Sequence, residues 1–355
     1  MKILIVAPSL DIERNVSGMS AVVNFIIANN KECEYFHFLQ GKSDGEKGTI
    51  NRVVRVVLNF MTWRKLLKTT DVDLIHYNYP LDTLSVLRDF FFIREAYRQR
   101  KKIVIHLHGG LFLFKKKKPF IIRKFMKGVL SLNCPFITQS EREREQIRKE
   151  FCTNNVFLLP NCVDLTEAHL YSKEIESPII DILYLGRIEP NKGMDYLYQA
   201  MAACLKNDLD MRLHFAGVEQ GNHDYIERFK RLLGDRFVYE GIVAGTKKTE
   251  LLKNCQVFIL PSLYEGLPVS LIECMSFGLV PVVTDVGSIS EYVKDGVNGL
   301  LLKVRDDRSI VDALTSLQNS RDLLQRLSVA AQNTVFSRFS PKKYVSVLNQ
   351  IYLQA

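Results

Sequence analysis

Several features that define other protein classes are absent from this sequence of 355 residues. No uncharged apolar run is long enough to span a membrane. The apolar start Ile3–Pro8 is shorter than the core of a signal peptide and is followed at once by charged residues, Asp11, Glu13 and Arg14. These absences predict a cytoplasmic protein, and they leave peripheral contact with the inner face of the plasma membrane open.

The cysteine and glycine patterns exclude two further classes. The seven cysteines are an odd number and contain no Cys-x-x-Cys pair, so they predict reduced thiols, mostly in the core, and neither a disulfide framework nor a zinc site. The first apolar run leads into Ala7-Pro8-Ser9-Leu10 and not into a glycine-rich fingerprint. A nicotinamide-dependent enzyme is therefore disfavoured.

Positive charge is concentrated in the first part of the chain. Residues 1–160 contain 27 Lys and Arg against 15 Asp and Glu, whereas the rest contains 21 against 24. The densest segment, Lys115–Leu130, has the spacing of an amphipathic helix, which fits either an anionic membrane surface or core packing with a solvated basic face. Nucleic acid is the least favoured partner, because no recognisable nucleic-acid module accompanies the charge.

The length exceeds what one hydrophobic core usually supports, so two domains are expected. Short apolar runs alternate with helical patterns, which is the rhythm of a parallel sheet. We predict a first domain at 1–164, a polar linker at 165–178, a second domain at 179–340 and a last helix at 341–355. The predicted strands are Ile3–Ala7, Glu34–Phe38, Leu74–Tyr77, Ile103–Leu107, Phe136–Thr138 and Val156–Leu159, then Asp181–Leu185, Arg212–Ala216, Phe237–Tyr239, Val257–Leu260 and Val280–Val283.

Two glutamates, Glu265 and Glu273, flank a predicted helix start at Pro268 that follows a buried strand. Ligands of α/β sheets bind at this edge, and the backbone amides of Leu267, Val269 and Ser270 are candidate anion donors there. Carboxylates accept hydrogen bonds from sugar or ribose hydroxyls, so the segment suits a polyol phosphate such as a nucleotide sugar. The simpler alternative is that both acidic residues merely favour the helix dipole.

Two cations follow another predicted strand. Arg187 and Lys192 flank the turn that leads into the helix after Gly193. If both strands belong to one parallel sheet, these cations and the Leu267–Ser270 amides open on the same edge and would form a diphosphate site. The alternative is an ordinary solvated loop.

The ordered set of motifs resembles the retaining glycosyltransferases of family 4. The resemblance spans most of the second half of the chain and is thinner in the first half, and it implies the GT-B architecture of two doubly wound, Rossmann-like domains facing across a cleft. It also implies a last helix that crosses back onto the first domain. The segments that carry the resemblance are Ser17-Gly18, His108-Gly109, Gln139–Glu141, Pro160–Asp164, Gly186–Gly193, Glu265–Glu273, Thr284–Gly287 with Glu291, and Asp295–Leu300.

The resemblance also implies a role for individual residues. Gly18, Arg187, Lys192, Leu267 and Val269 would bind the donor diphosphate. Glu265 would contact the transferred sugar, Glu273 the ribose, and the backbone of Gly241 and Val243 the nucleobase. His108, at the carboxyl end of its strand, would touch the donor sugar or the acceptor and could help with proton movement. His106 lies one step deeper on the same side of the strand and is expected to be a core histidine with its hydrogen bonds satisfied.

No metal is expected. Two Asp-x-Asp pairs, Asp71 to Asp73 and Asp208 to Asp210, precede predicted strands and so belong to the opposite sheet edge. In the resembled family the cations and the helix start neutralise the diphosphate instead. No cofactor is expected beyond the donor itself.

The resulting hypothesis is a metal-independent, retaining transferase. It would move a hexose-type sugar from a UDP- or GDP-linked donor to a saccharide or lipid-linked acceptor in bacterial envelope polysaccharide assembly. Two alternatives remain open, a sugar-nucleotide epimerase on the same fold and a non-catalytic nucleotide-sugar or membrane-binding module.

Overall fold

The computed structural model describes residues 1–41, 49–109, 113, 119–175 and 177–355, with the backbone alone at residues 49–53. The chain forms two compact units. The first contains Met1–Asn15, Met19–Asn161 and Pro341–Ala355, and the second contains Val16–Gly18 and Cys162–Ser340. The grouping thus changes at Asn161, close to the predicted domain limit at residue 164, and the last helix belongs to the first unit.

The first unit is built on a six-stranded parallel sheet in the order β2-β1-β3-β4-β5-β6. Its strands are β1 (Lys2–Ala7), β2 (Glu34–Leu39), β3 (Leu74–Pro80), β4 (Ile103–His108), β5 (Phe136–Thr138) and β6 (Val156–Leu158). Its described helices are Gly18–Asn29, whose first residue groups with the second unit, and Thr49–Thr69, Thr83–Arg98, Phe120–Leu130, Glu141–Phe151 and Pro341–Leu353. The chain order reverses between β1 and β3, which makes this a doubly wound sheet.

The second unit has a six-stranded parallel sheet in the order β12-β11-β10-β7-β8-β9. Its strands are β7 (Ile180–Leu185), β8 (Met211–Ala216), β9 (Phe237–Gly241), β10 (Val257–Leu260), β11 (Val280–Thr284) and β12 (Leu300–Leu302). Its α-helices are Met194–Lys206, Tyr225–Leu233, Gly245–Asn254, Val269–Ser276, Ile289–Tyr292, Asp307–Asn319 and Arg321–Arg338, and its 3-10 helices are Ala168–Leu170, Pro190–Lys192 and Gly234–Arg236. The chain order reverses between β7 and β10.

Several inner strands of the two sheets are buried along their whole length. Every residue of β10 and β11 is buried, as is every residue of β4. Such strands read as continuous apolar runs because helices cover both faces of a doubly wound sheet. In the first unit, Trp63 is fully buried and its Nε1 donates to the carbonyl of Phe92 at 3.0 Å, so the indole satisfies its one polar group inside the core.

All eleven predicted strands are present, most within one or two residues of their predicted limits. The sequence missed β12, which has only three residues. Pro268 precedes the helix as its N-cap, whereas the sequence predicted Pro268 as the first helical residue. Five of the seven cysteines are buried and all seven are free, as predicted for core thiols.

The segment predicted as a polar linker contains a buried lysine. Lys173 Nζ donates to three carbonyl oxygens at the end of the Gly245–Asn254 helix and just beyond it, those of Leu252, Lys253 and Cys255, at 2.9, 2.6 and 2.6 Å. The last carbonyls of a helix lack partners within the helix and carry negative partial charge, so an ammonium group is well suited to them.

The basic amphipathic segment is described from Pro119 onward, and Lys115–Lys118 lie outside the described residues. The Phe120–Leu130 helix buries Ile122 and Val129, while Phe125 packs against Phe90 with ring centroids 4.7 Å apart. Phe120 and Ile121 instead remain 80% and 59% exposed. The apolar side chains of this helix are therefore divided between the core and the surface. Across the described residues, no helix is both long enough and apolar enough to cross a membrane.

Candidate active site

The candidate site lies at the carboxyl edge of the second sheet, where the chain order reverses. Strands β7 and β10 are neighbours there, with Val257 paired to Ile182 and Phe258 to Leu183. The loops that follow them therefore lie side by side, and a crevice at such a switch point is where doubly wound sheets bind ligands. The sequence placed Arg187 and Lys192 on the first loop and Glu265 on the second, and both loops adjoin as predicted.

Lys192 and Glu265 form the central contact of this site. Lys192 Nζ donates to Glu265 Oε1 at 2.6 Å, and Ser262 Oγ donates to the same oxygen at 2.7 Å. The Glu265 side chain is only 10% exposed. Its other oxygen, Oε2, accepts no hydrogen bond from the described residues. A carboxylate with one oxygen anchored and one available is suited to accept a ligand hydroxyl.

The two loops touch through their backbones as well. Leu263 N donates to the carbonyl of Asn191 at 2.9 Å. Gly193 has φ +77°, and a Cβ built on it would lie 2.0 Å from the carbonyl oxygen of Pro261. A side chain at position 193 would push the loops apart, so glycine is required for both the conformation and the close approach.

A third loop, after β11, supports the backbone of Glu265. A Cβ on Gly287, which has φ +58°, would lie 2.1 Å from the carbonyl oxygen of Glu265. Ser288 N also donates to the carbonyl of Gly266 at 3.2 Å. The Glu265 segment is thus enclosed between the loops after β7 and β11.

The helix that follows this segment begins at Val269, and no side chain caps its start. Leu267 and Val269 are buried, so their contribution to an anion site would come from backbone amides. Val16–Gly18 belong to the second unit, and a Cβ on Gly18 would lie 3.7 Å from Val269 Cγ2. Three of the predicted diphosphate residues therefore lie together, near the loop that carries Lys192.

Arg187 lies two residues beyond β7 and is half-buried. Its carbonyl accepts a hydrogen bond from the hydroxyl of Tyr184 on the same strand, which fixes the backbone at the start of the loop. Gly241 ends β9 with φ +70°, and Val243 is buried just beyond it. Both residues sit at the same carboxyl edge as the rest of the site.

Sequence reasoning missed a second ion pair. Lys248 Nζ donates to Glu273 Oε1 at 2.8 Å, with the side chains 29% and 20% exposed. Burial alone lowers the pKa of Lys248, but the charge and hydrogen bond of Glu273 outweigh burial and raise that pKa. The lysine is therefore charged near neutral pH. The adjacent Lys247 donates to the carbonyl of Glu240 instead, at 2.7 Å.

His108 lies at the end of β4 in the first unit, inside a polar network. Its Nε2 is 2.8 Å from Asn78 Oδ1, and its Nδ1 is 3.1 Å from Gln139 Nε2. Asn78 Nδ2 donates to the carbonyl of Val6, so Oδ1 faces the ring and His108 Nε2 must donate. An amide nitrogen can only donate, so Gln139 occupies the lone pair of Nδ1.

This network bears on the proposed proton chemistry. Burial, followed by the charge of His76, lowers the pKa of His108 to about 3, so the ring is neutral at pH 7. With both nitrogens engaged, the described geometry favours a hydrogen-bonding or positioning role over proton transfer. Contact of His108 with the donor sugar or the acceptor stays a prediction. His106 is fully buried, as predicted, and its Nδ1 is 3.3 Å from His76 Nε2, but its Nε2 has no hydrogen-bond partner among the described residues, so the ring is not fully satisfied as the sequence predicted.

The Asp-x-Asp pairs precede β3 and β8, so each lies at the amino edge of its own sheet, and only the pair before β8 shares a sheet with the candidate site, at its opposite edge. Asp73 Oδ2 accepts a hydrogen bond from the backbone N of Lys2 at 2.7 Å, which gives this residue a structural contact between strands.

Comparison with known proteins identifies the family. The profile of glycosyl transferases group 1 matches residues 166–334, and that of Glycosyltransferase Family 4 matches residues 46–167. The chain belongs to the group 1 glycosyltransferase family. The resemblance inferred from its motifs is thereby confirmed. Membership of this family also identifies the protein as an enzyme, a glycosyltransferase.

Individual relatives are distant. The glycosyltransferase is 30% identical over 161 residues to the uncharacterized glycosyltransferase MJ1607 of Methanocaldococcus jannaschii, covering 45% of this chain and 41% of that protein. It is 24% identical to a UDP-Gal:alpha-D-GlcNAc-diphosphoundecaprenol alpha-1,3-galactosyltransferase of Escherichia coli, over 70% of this chain and 68% of the relative.

Among solved structures, sucrose-phosphate synthase from Thermosynechococcus elongatus superposes with a TM-score of 0.79 at 17% identity, covering 99% of this chain and 98% of that one. This similarity concerns the fold. The predicted GT-B class, with two doubly wound parallel sheets, is confirmed.

Proposed function

We propose that this glycosyltransferase moves a hexose-type sugar from a UDP- or GDP-linked donor to a saccharide or lipid-linked acceptor in bacterial envelope polysaccharide assembly. The observation that carries the proposal is the Lys192–Glu265 contact at the switch point of the second sheet. It combines a cation for the diphosphate with a carboxylate for the sugar within one crevice. The Escherichia coli relative is described as transferring galactose from UDP-Gal to a diphosphoundecaprenol-linked sugar, which supports this donor and acceptor class.

In the proposed complex the diphosphate is held without a metal. Lys192, Arg187 and the backbone amides at the start of the Val269–Ser276 helix supply positive charge, and Gly18 permits close approach of its loop. Hydrogen bonds to charged groups contribute about 1.5 to 3 kcal/mol each. Rate gains of enzymes require about 8 kcal/mol or more, so the remainder must come from positioning the acceptor hydroxyl and excluding water.

The proposed reaction retains the anomeric configuration. The acceptor hydroxyl attacks the anomeric carbon from the face that the diphosphate leaves, the glycosidic bond forms, and the hydroxyl proton passes to the departing diphosphate. Glu265 Oε2 contacts the sugar and stabilises its oxocarbenium-like state, while Glu273 binds the ribose. His108 contacts the donor sugar or the acceptor, and the backbone of Gly241 and Val243 meets the base.

A donor screen tests the proposal. The purified protein is incubated with UDP- and GDP-linked glucose, galactose, mannose and N-acetylglucosamine, with and without a lipid-linked acceptor. We expect one donor to release its nucleoside diphosphate in an acceptor-dependent manner, with activity unchanged by EDTA. NMR of the product reports whether the anomeric configuration is retained. Absence of binding to every donor in the panel, measured by thermal protection, would refute the proposal.

The same screen distinguishes the rivals. A sugar-nucleotide epimerase would convert its donor without an acceptor. A non-catalytic binding module would bind a donor and neither release the nucleotide nor convert the sugar, and changes at Glu265 and Lys192 would leave its cellular function intact.

We further propose that the protein works in the cytoplasm at the inner face of the plasma membrane. The exposed Phe120 and Ile121 lie on a helix that also carries Arg123, Lys124 and Lys127, a combination suited to an anionic lipid surface. We expect co-sedimentation with vesicles containing phosphatidylglycerol but not with pure phosphatidylcholine vesicles. The double substitution Phe120→Ser and Ile121→Ser should abolish it, and unchanged sedimentation would argue that this helix only packs against the protein.

A further inference from the structure

The nucleoside side of the proposed donor site contains a cation that the proposed function does not use. Lys248 lies in the first turns of the Gly245–Asn254 helix, shortly after the loop that joins β9 to it, and Glu273 lies on the Val269–Ser276 helix after β10. Their side chains meet at 2.8 Å. The ion pair therefore links the segment predicted to meet the base, Gly241 to Val243, with the helix predicted to hold the ribose.

The contact uses one oxygen of the carboxylate. Lys248 donates to Glu273 Oε1, and within the described parts of the chain no donor reaches Glu273 Oε2. A ribose presents two adjacent hydroxyls, and a carboxylate that is held in one orientation can accept hydrogen bonds from both. A glutamate that rotates freely would lose side-chain entropy when it binds a ligand. The existing contact with Lys248 already restricts the side chain, so less entropy is lost on binding.

We infer that Lys248 is a positioning residue of the donor site, whose ammonium group holds the Glu273 carboxylate so that Oε2 accepts hydrogen bonds from the ribose hydroxyls. This inference rests on the proposed function, because it assumes that a nucleotide occupies the site. It assigns Lys248 to recognition of the ribose diol specifically, and not to the diphosphate, for which Lys192 is the proposed partner.

Nucleotide binding tests the inference without knowledge of the sugar. The dissociation constants of UDP and GDP, and of their 2′-deoxy analogues, are measured by isothermal titration calorimetry on the full chain. We expect the unsubstituted protein to bind the better ribonucleotide about tenfold more tightly than its deoxy analogue, the size expected for a hydrogen bond to a charged group. Lys248→Met should reduce this ratio to about twofold or less, and Lys248→Arg should retain most of it.

Two control variants separate ribose recognition from other effects. Lys247→Met removes the neighbouring lysine, which contacts Glu240 and not Glu273, and should leave the ratio unchanged. Lys192→Met should weaken both nucleotides by a similar factor and so preserve the ratio. Circular dichroism checks that each variant is folded, and Lys248→Gln replaces Lys248→Met if that variant does not fold.

The outcomes distinguish the inference from the proposed function. If the unsubstituted protein binds neither UDP nor GDP, the proposed donor class fails. If it binds a nucleotide but does not prefer the ribose form, or if Lys248→Met keeps the full preference, the role of Lys248 is overturned while the proposed function stands. Loss of the preference in Lys248→Met alone among the lysine-to-methionine variants supports the inference.

Discussion

Lys192 and Glu265 meet at a single carboxylate oxygen, with Nζ 2.6 Å from Oε1 and Ser262 Oγ 2.7 Å from the same atom. One oxygen of Glu265 is thus fully engaged, while Oε2 accepts nothing from the described residues. The Lys192 ammonium group thus pairs with a carboxylate in a nearly buried position, where an unpaired charge would be costly. We therefore expect the charge of Glu265, and not only its shape, to matter for the proposed reaction.

Glu265→Gln should lower kcat about 100- to 1000-fold with a smaller change in donor KM, because the amide keeps the size of the side chain but removes the charge that would stabilise the transition state. Steady-state kinetics with the donor found in the screen measures both constants. Glu250→Gln, an exposed change on the Gly245–Asn254 helix, is the matched control and should leave both unchanged. A loss confined to KM would show that Glu265 only binds the donor.

Gly193→Ala should destabilise the second unit by about 3 kcal/mol or more, because the residue is left-handed and the new Cβ would meet the carbonyl oxygen of Pro261. Gly296→Ala is the matched control: Gly296 has a similar φ of +66°, but no described atom outside its immediate neighbours lies within 4 Å of the position that its Cβ would take. The control should cost only about 1 to 2 kcal/mol. Urea unfolding followed by circular dichroism measures both, and equal losses would disprove the close-approach argument.

The first unit should lose stability as the pH falls below about 6.5. Burial lowers the pKa of His76 and of His108 to about 3, and the pKa of His106 also falls well below its usual value. Between about pH 3 and pH 6.5, the unfolded chain therefore binds more protons than the folded chain. The free energy of unfolding falls as the pH is lowered through this range. Each histidine contributes up to about 1.4 kcal/mol per pH unit.

Trp63 is the only tryptophan and is buried in the first unit, so its fluorescence reports the unfolding of this unit. The free energy of unfolding is measured in urea at intervals from pH 7 to pH 4. The free energy of unfolding of His76→Gln should change less steeply with pH than that of the unsubstituted protein. Parallel slopes would mean that His76 is not kept neutral by the fold.

Lys173→Met should lower the stability of the second unit by about 1 to 3 kcal/mol, because the change removes the ammonium group that three carbonyls at the end of the Gly245–Asn254 helix share. Lys206→Met removes an exposed lysine from the last turn of another helix and should cost less than about 0.5 kcal/mol. Urea unfolding of the two variants in parallel gives the comparison. Equal stability of both would contradict a capping role for Lys173.

The strands and the main site could be predicted because their signals are local. Apolar runs such as Val257–Leu260 alternate with helical patterns, and the rule that parallel strands share a carboxyl edge brought Lys192 and Glu265 together from 73 positions apart. β12 escaped notice because a three-residue run does not stand out from a loop. Lys173 lies in a polar stretch, and nothing in the neighbouring sequence indicates that its side chain is buried.

Lys248 illustrates the limit of such reasoning. It sits beside Lys247 in a polar stretch of helix, where two adjacent lysines predict a solvated surface. Only the tertiary structure reveals that Lys248 pairs with Glu273 on another helix, whereas Lys247 pairs with Glu240 on β9. Pairings between separate helices carry no sequence period, so the tertiary structure is needed to find them.

The last helix, Pro341–Leu353, completes the unit that contains the first strand. Tyr352 Oη lies 2.6 Å from His76 Nδ1, Asn349 accepts a hydrogen bond from Asn30, and the ring of Tyr344 packs edge-on against Phe25. During synthesis, the region around the first strand therefore cannot complete its packing until this distant helix has also been made. A truncation just before Pro341 would spare every residue named in the donor site and still damage the first unit.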